Sequence, residues 1–242
     1  MRIADETGLF DQPLRRPPAS LSPANAPLAR SLRKVGFVAR GARARDLCVA
    51  AVLDLAVGRL PACLDLHEFS PNPWDRLDAD MVLISRRFAE PPSAPCRRAG
   101  NAILRSRVPV LFLPQPRRAR MIGGRALIVW DGSLSAAAAL TGATPLLRRA
   151  REVMLIDAQS EGQQVDVARA ADFVRGLPGE RRLDVTAQWL ESPAALMQMA
   201  QLCRADYLVM GGFGRWRALA DILYGDCDSA FLRTPVPLLL GH

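Results

Sequence analysis

The chain has 242 residues, half of them hydrophobic, which suffices for one large domain or two modest ones with a substantial core. No apolar run reaches the roughly 18 uncharged residues of a membrane helix, and the opening MRIADETGLFDQ lacks a signal peptide's basic-then-apolar order, so a soluble cytoplasmic protein is expected. The net charge is +8, but the arginines are scattered in pairs such as Arg86-Arg87 and Arg181-Arg182 without interleaved aromatics, which favours a solvated surface over a nucleic-acid face.

Residues 1–30 are rich in Pro, Ala and Ser and read as a flexible tail. Residues 31–114 carry a shortened α/β pattern in which His67, next to Glu68, falls in a loop-like region. The connection 115–124 combines prolines, arginines and a Gly-Gly pair, and 125–242 is a complete α/β unit. There ALIVW (126–130), EVMLIDA (152–158), LDVTAQWL (183–190), YLVMG (207–211) and PVPLLL (235–240) read as strands. Helical spacing runs through 134–150, 165–177 and 193–205, the last with proline in its first turn and Ser192 as its cap. A further helix is expected between the last two strands. Five strands alternating with four helices predict a parallel, Rossmann-like sheet covered on both faces.

The two parts of the chain echo each other. ADMVLIS (79–85) matches ADYLVMG (205–211), LRSRVPVLFL (104–113) matches LRTPVPLLL (232–240), and FVARGA (37–42) faces IVWDGS (128–133). Arg40 to Asp80 spans 40 positions whereas Asp131 to Asp206 spans 75, so the first copy lacks about 35 residues, enough for a strand and two helices. The near-identical Val-Pro strands predict that the halves pack on each other there.

Chemistry-bearing residues are few. Five cysteines (Cys48, Cys63, Cys96, Cys203, Cys227) and two histidines show no zinc-site spacing, and reduced, largely buried thiols are expected. No P-loop, nucleophile elbow or triad is present. The segment YLVMGGFG empties a strand into Gly211, Gly212 and Gly214, the kind of loop whose backbone N–H groups can approach an anion, or a tight turn that clears the sheet edge. Asp131-Gly132-Ser133 is equally readable as a helix cap, and Asp226 and Asp228 as the cap and first-turn charges of the last helix.

Taken in order, IVWDGSLSAAAAL, ADYLVMGGFG and LRTPVPLLLGH resemble the universal stress protein (UspA) family in its tandem two-domain bacterial form, over about 118 residues of the C-terminal half and more weakly over 70 of the N-terminal half. The resemblance implies an adenine nucleotide alpha hydrolase-like fold, with an abbreviated N-terminal copy packed as an intrachain pseudo-dimer or within a homodimer. It implies a regulatory, stress-response role without catalytic turnover, and an unidentified protein partner. In family members that bind ATP, the loop after the fourth strand reads G-x-x-G, nine residues, then G-[ST]. Here Gly211 and Gly214 match the paired glycines and Asp131 the acid, but ten residues precede Gly225, and Asp226 stands where a hydroxyl belongs. Without a gap the last pair is Tyr224-Gly225, which also lacks the hydroxyl. A carboxylate a few ångströms from a phosphate costs on the order of a few kcal/mol. The implied nucleotide pocket is therefore Asp131, Gly132, Ser133, Asp157, Gly211, Gly214, Gly225 and Asp226, holding ATP weakly or not at all, with AMP or adenosine as alternatives. Slow ATP hydrolysis through the 211–226 loop and a pure interaction module are the other readings. The first copy has Ser85 at the position of Gly211 and Arg40 at that of Asp131, and is expected to bind no ATP.

Overall fold

A computed structural model describes residues 34–38, 65–68, 79–85, 108–113, 124–158, 167–187, 192–212 and 234–242. The first-half strands are β1 (Lys34–Val38), β2 (Asp65–Glu68), β3 (Met81–Ser85) and β4 (Val110–Leu113). The second half supplies β5 (Arg125–Trp130), β6 (Glu152–Asp157), β7 (Arg182–Ala187), β8 (Tyr207–Gly211) and β9 (Leu238–Gly241). Its described helices are α1 (Leu134–Gly142), α2 (Thr144–Leu147), α3 (Val167–Gly176) and α4 (Pro193–Leu202).

All nine described strands form one sheet in the order β2-β1-β3-β4-β9-β8-β5-β6-β7. Strands buried on both faces read as continuous apolar runs, and β4, β8 and β9 are buried at every residue. Alternate residues serve opposite layers. Ile128, Trp130, Leu155, Val209 and Leu239 pack with α1, α2 and α3. Leu127, Val129, Ile156, Leu208 and Leu240 pack with Leu196, Met197 and Ala200 of α4. The expected five-stranded parallel sheet of the second half is β7-β6-β5-β8-β9.

The echo in sequence is an echo in register. Val35 pairs with Met81 as Ala126 pairs with Tyr207, and Val82 pairs with Val110 as Leu208 pairs with Leu238. Val82 N donates to Pro109 O at 3.0 Å, and Leu208 N donates to Pro237 O at 2.9 Å. Only β4 and β9 run antiparallel among the described strands, with Val110 opposite Leu240, Leu111 opposite Leu239 and Phe112 opposite Leu238. Since Leu111 and Leu239 are echo positions, the ladder is symmetric about that pair, and the Val-Pro strands do join the halves. Outward from the join the orders are β4-β3-β1-β2 and β9-β8-β5-β6-β7, so the described first-half strands have no counterpart of β7.

Three local expectations need correction. The helix expected over 134–150 breaks at Ala143, because Pro145 has no N–H and its ring would meet the carbonyl of Thr141. That carbonyl instead accepts from Thr144 Oγ1 at 2.7 Å. His67 lies not in a loop but on β2, opposite Gly36 of β1, since four residues suffice for an edge strand. The helix expected to reach 205 stops at Leu202, where Arg204 takes φ 51° and Ala205 N returns to Ala200 O. The proposed tail 1–30 lies outside the described residues, as does the connection 115–124 except for Gly124.

Two outcomes follow from this architecture. Residues 122–242 expressed alone would present β9 as an unpaired apolar edge, which invites pairing with a second copy; light scattering should show a dimer or larger species, and a well-behaved monomer would contradict the joining role of β4. Arg204 in the left-handed region costs about 1 kcal/mol, so Arg204→Gly should raise the melting temperature by about 2–4 °C.

Candidate functional site

From β5 the chain steps outward to β6 and β7, then returns to lay β8 and β9 on the other side. The carboxyl ends of β5 and β8 therefore flank a topological switch point, where open parallel sheets form their ligand crevice. The ladders show the opening directly. β5 pairs with β6 as far as Trp130–Asp157, and β8 with β9 as far as Gly211–Gly241, but β5 and β8 pair only as far as Ile128–Val209. At this edge the outward neighbours hold each strand: Trp130 O accepts from Ala158 N at 2.8 Å, and Gly212 N donates to Gly241 O at 2.7 Å.

The turn Asp131-Gly132-Ser133 leads from the opening into α1. Gly132 turns it at φ 72°, a conformation that glycine adopts without strain. Ser133 is the cap, its Oγ accepting from Ala136 N at 3.1 Å and lying 3.0 Å from Ser135 Oγ. Asp131 does not cap; its Oδ1 accepts from Ser133 N at 3.0 Å and fixes the turn. No acidic residue lies in the first turn of α1, so Asp131, two residues before the cap, is the carboxylate nearest the positive end of the helix in sequence.

Glycines bring α1 unusually close. A Cβ on Gly211 would lie 2.5 Å from Ser135 Oγ and 2.8 Å from Ala136 N, and one on Gly241 would run into the backbone of Ala138 and Ala139. These two glycines are register partners and make a flat floor beneath an alanine-rich helix. Gly211 thus makes room for α1, a role distinct from both the anion loop and the tight turn expected from the sequence, and it places the first turn of α1 at the mouth of the opening. Gly241 was not singled out by sequence reasoning; the signal was available in the echo, which sets it against Leu113. Ser85 and Leu113 are the paired residues in the first half, so the glycine floor belongs to the second half alone.

Of the eight residues read as a pocket, Asp131, Gly132, Ser133, Asp157 and Gly211 fall at the carboxyl edge of the three adjacent strands β6, β5 and β8. Gly214, Gly225 and Asp226 lie outside the described residues. Asp157 is buried, with 4% of its surface exposed, whereas Asp131 is half-buried, so Asp131 is the acid a ligand could reach. The opposite edge is structural. Asp206 clamps β8 to β5, accepting from Arg125 N while its own N donates to Arg125 O, both at 2.9 Å. Tyr207 is fully buried beside it, and burial pushes its phenol far above the usual range, with Asp206 adding to the shift and Arg181 and Arg149 opposing it. Among the described residues no three His, Cys, Asp or Glu side chains converge as metal ligands, and no helix is long and apolar enough to cross a membrane. What the opening offers is recognition chemistry: one carboxylate, two hydroxyls and a helix N-terminus.

The close approach of α1 sets an order of stability effects. Ser133→Ala removes one cap and should cost about 1 kcal/mol, while Gly241→Ala must push the helix backbone away and should cost about 3 kcal/mol or more. Urea denaturation would check this; equal effects would mean that α1 can shift freely.

No family model matches the chain, and no curated protein matches it. Among solved structures it is similar to a universal stress protein from Archaeoglobus fulgidus DSM 4304, with 18% identity and a TM-score of 0.45 over 67% of this chain and 60% of that one. It is also similar to a universal stress protein solved in complex with cAMP, with 19% identity and a TM-score of 0.34 over 49% of this chain and 97% of that one.

Proposed function

We propose that this chain is a universal-stress-type regulatory protein of two α/β copies, whose second copy takes an adenosine-like ligand at the opening between β5 and β8 and binds ATP weakly or not at all. The observation that carries the reading is the early end of the β5–β8 ladder beside Asp131, Ser133 and the first turn of α1. A carboxylate there suits the hydroxyls of a ribose, which can donate to it, and opposes a polyphosphate. The two-copy reading is supported by the repeated register and by the symmetric β4–β9 join. The first copy, with Ser85 and Leu113 in place of the paired glycines, then serves as a structural partner.

Calorimetric titration of the full chain with adenosine, AMP, cAMP and ATP tests this. Adenosine or AMP should bind at least as well as ATP, and Asp131→Ala should weaken adenosine by about tenfold, or 1.4 kcal/mol. From the sequence argument, Asp226→Ser should improve ATP binding by a similar factor. Micromolar ATP binding by the wild type, unchanged by Asp226→Ser, would overturn the reading. Phosphate release from that ATP would favour slow hydrolysis. Absence of binding by all four ligands would leave the interaction module.

A further inference from the structure

On the other face of the sheet, away from α1, three sulfur atoms from two elements meet. Cys203 Sγ lies 3.3 Å from Met154 Sδ and 3.4 Å from Met199 Sδ. Met154 projects from β6, whose backbone is held by β5 and β7 on either side. Cys203 is the C-cap of α4, with helical backbone angles, and lies four residues after Met199, one turn along the same face. Cys203 N donates to Met199 O at 2.9 Å, which ties these two positions together. All three side chains are half-buried, so the cluster sits at the margin of the core within reach of solvent.

Ordinary packing does not fully account for this contact. A thiol has one hydrogen and is a weak donor, so it cannot make a full, well-aligned hydrogen bond to both thioethers. A soft cation satisfies all three at once. We propose that Cys203, Met154 and Met199 form a binding site for a soft monovalent cation of the Cu(I) or Ag(I) class. One thiolate with two thioethers is a donor set that suits such ions, whereas Zn(II) prefers thiolate, imidazole and carboxylate. On binding, the metal–sulfur bond forms as the thiol proton leaves to solvent, with no change in oxidation state. Burial pushes the Cys203 thiol up and disfavours the free thiolate, but the thiolate and a monovalent cation cancel in charge. Metal–sulfur bonds of roughly 2.3 Å would set the sulfurs roughly 4 Å apart in a trigonal array, an opening that methionine's three rotatable bonds can supply.

Because the chain has five cysteines, the readout must be specific to Cys203. Full-length protein under anaerobic, ascorbate-reduced conditions is treated with Cu(I) delivered from its bicinchoninate complex, then alkylated with iodoacetamide and analysed peptide by peptide. One equivalent of Cu(I) should slow Cys203 alkylation by about tenfold in the wild type, and Met154→Leu and Met199→Leu should each remove most of that protection. Leucine keeps the volume of methionine, and the metal-free alkylation rate of each variant reports whether the local fold survives. Unchanged Cys203 alkylation in wild type with Cu(I) would overturn the proposal. Full protection in both leucine variants would do the same, since the cysteine would then be acting alone.

Discussion

The approach of α1 to the sheet is the constraint on which the rest of the structure depends. Its N-terminal turn rests on Gly211, its middle on Gly241, and Gly142 at its end faces Pro109, where a Cβ would lie 2.7 Å from the proline ring. Along this line α1 crosses from the mouth of the β5–β8 opening, over β8 and β9, to the edge of the first half. Four consecutive alanines, Ala136 to Ala139, make the helix narrow enough to lie there. A bulkier helix or a substituted floor would lift α1, and that would displace the turn holding Asp131 as well as the contact with Pro109. Position at the candidate site and cohesion between the halves therefore share one packing interface.

The continuous sheet accommodates four described strands on one side of the join and five on the other. The edge strand β9 of the second half would otherwise expose a row of leucine backbone groups; β4 pairs with it and extends the apolar layers on both faces. For that purpose only the strands near the join matter. The lack of a β7 counterpart among the described first-half strands takes nothing from the β4–β9 ladder, because β7 lies at the far edge of the sheet. The described side chains of β7 are exposed or half-buried, and Val185 is 41% exposed, so this strand contributes less to the core than β3, β4, β5, β6, β8 or β9.

Much of this was legible in the sequence, because inner strands of a parallel sheet are apolar throughout and helices repeat at 3.6 residues. YLVMG, ALIVW and EVMLID declared themselves, as did Ser192 as a cap, which accepts from Ala195 N at 3.2 Å. The echo between the halves also foretold the β4–β9 pairing. What sequence could not supply was tertiary geometry. β2 is four residues long and gains its identity from β1. Asp131 and Ser133 were interchangeable as caps until the turn at Gly132 assigned the cap to Ser133. Gly241 looks like the end of a leucine run until its pairing with Gly211 is known. The sulfur cluster was hidden because Met154 and Met199 are 45 positions apart and each alone reads as core filler.

Register is symmetric across the join, yet chemistry is not, and the difference traces to few positions. A parallel sheet with a switch point generates a crevice from topology alone, so both halves inherit a β1–β3 or β5–β8 boundary. Converting a crevice into a site further requires a helix N-terminus drawn against the sheet and an acid at the turn. The second half meets both conditions through Gly211, Gly241 and Asp131. In the first half Leu113, buried to 2% exposure, and Ser85 occupy the paired positions, and a Cβ at each is incompatible with the floor that α1 uses. Leu113 belongs to the same apolar layer that α1 covers in the second half. The same backbone plan thus carries Ser85 and Leu113 at the paired positions on one side of the Leu111–Leu239 pair and two glycines on the other.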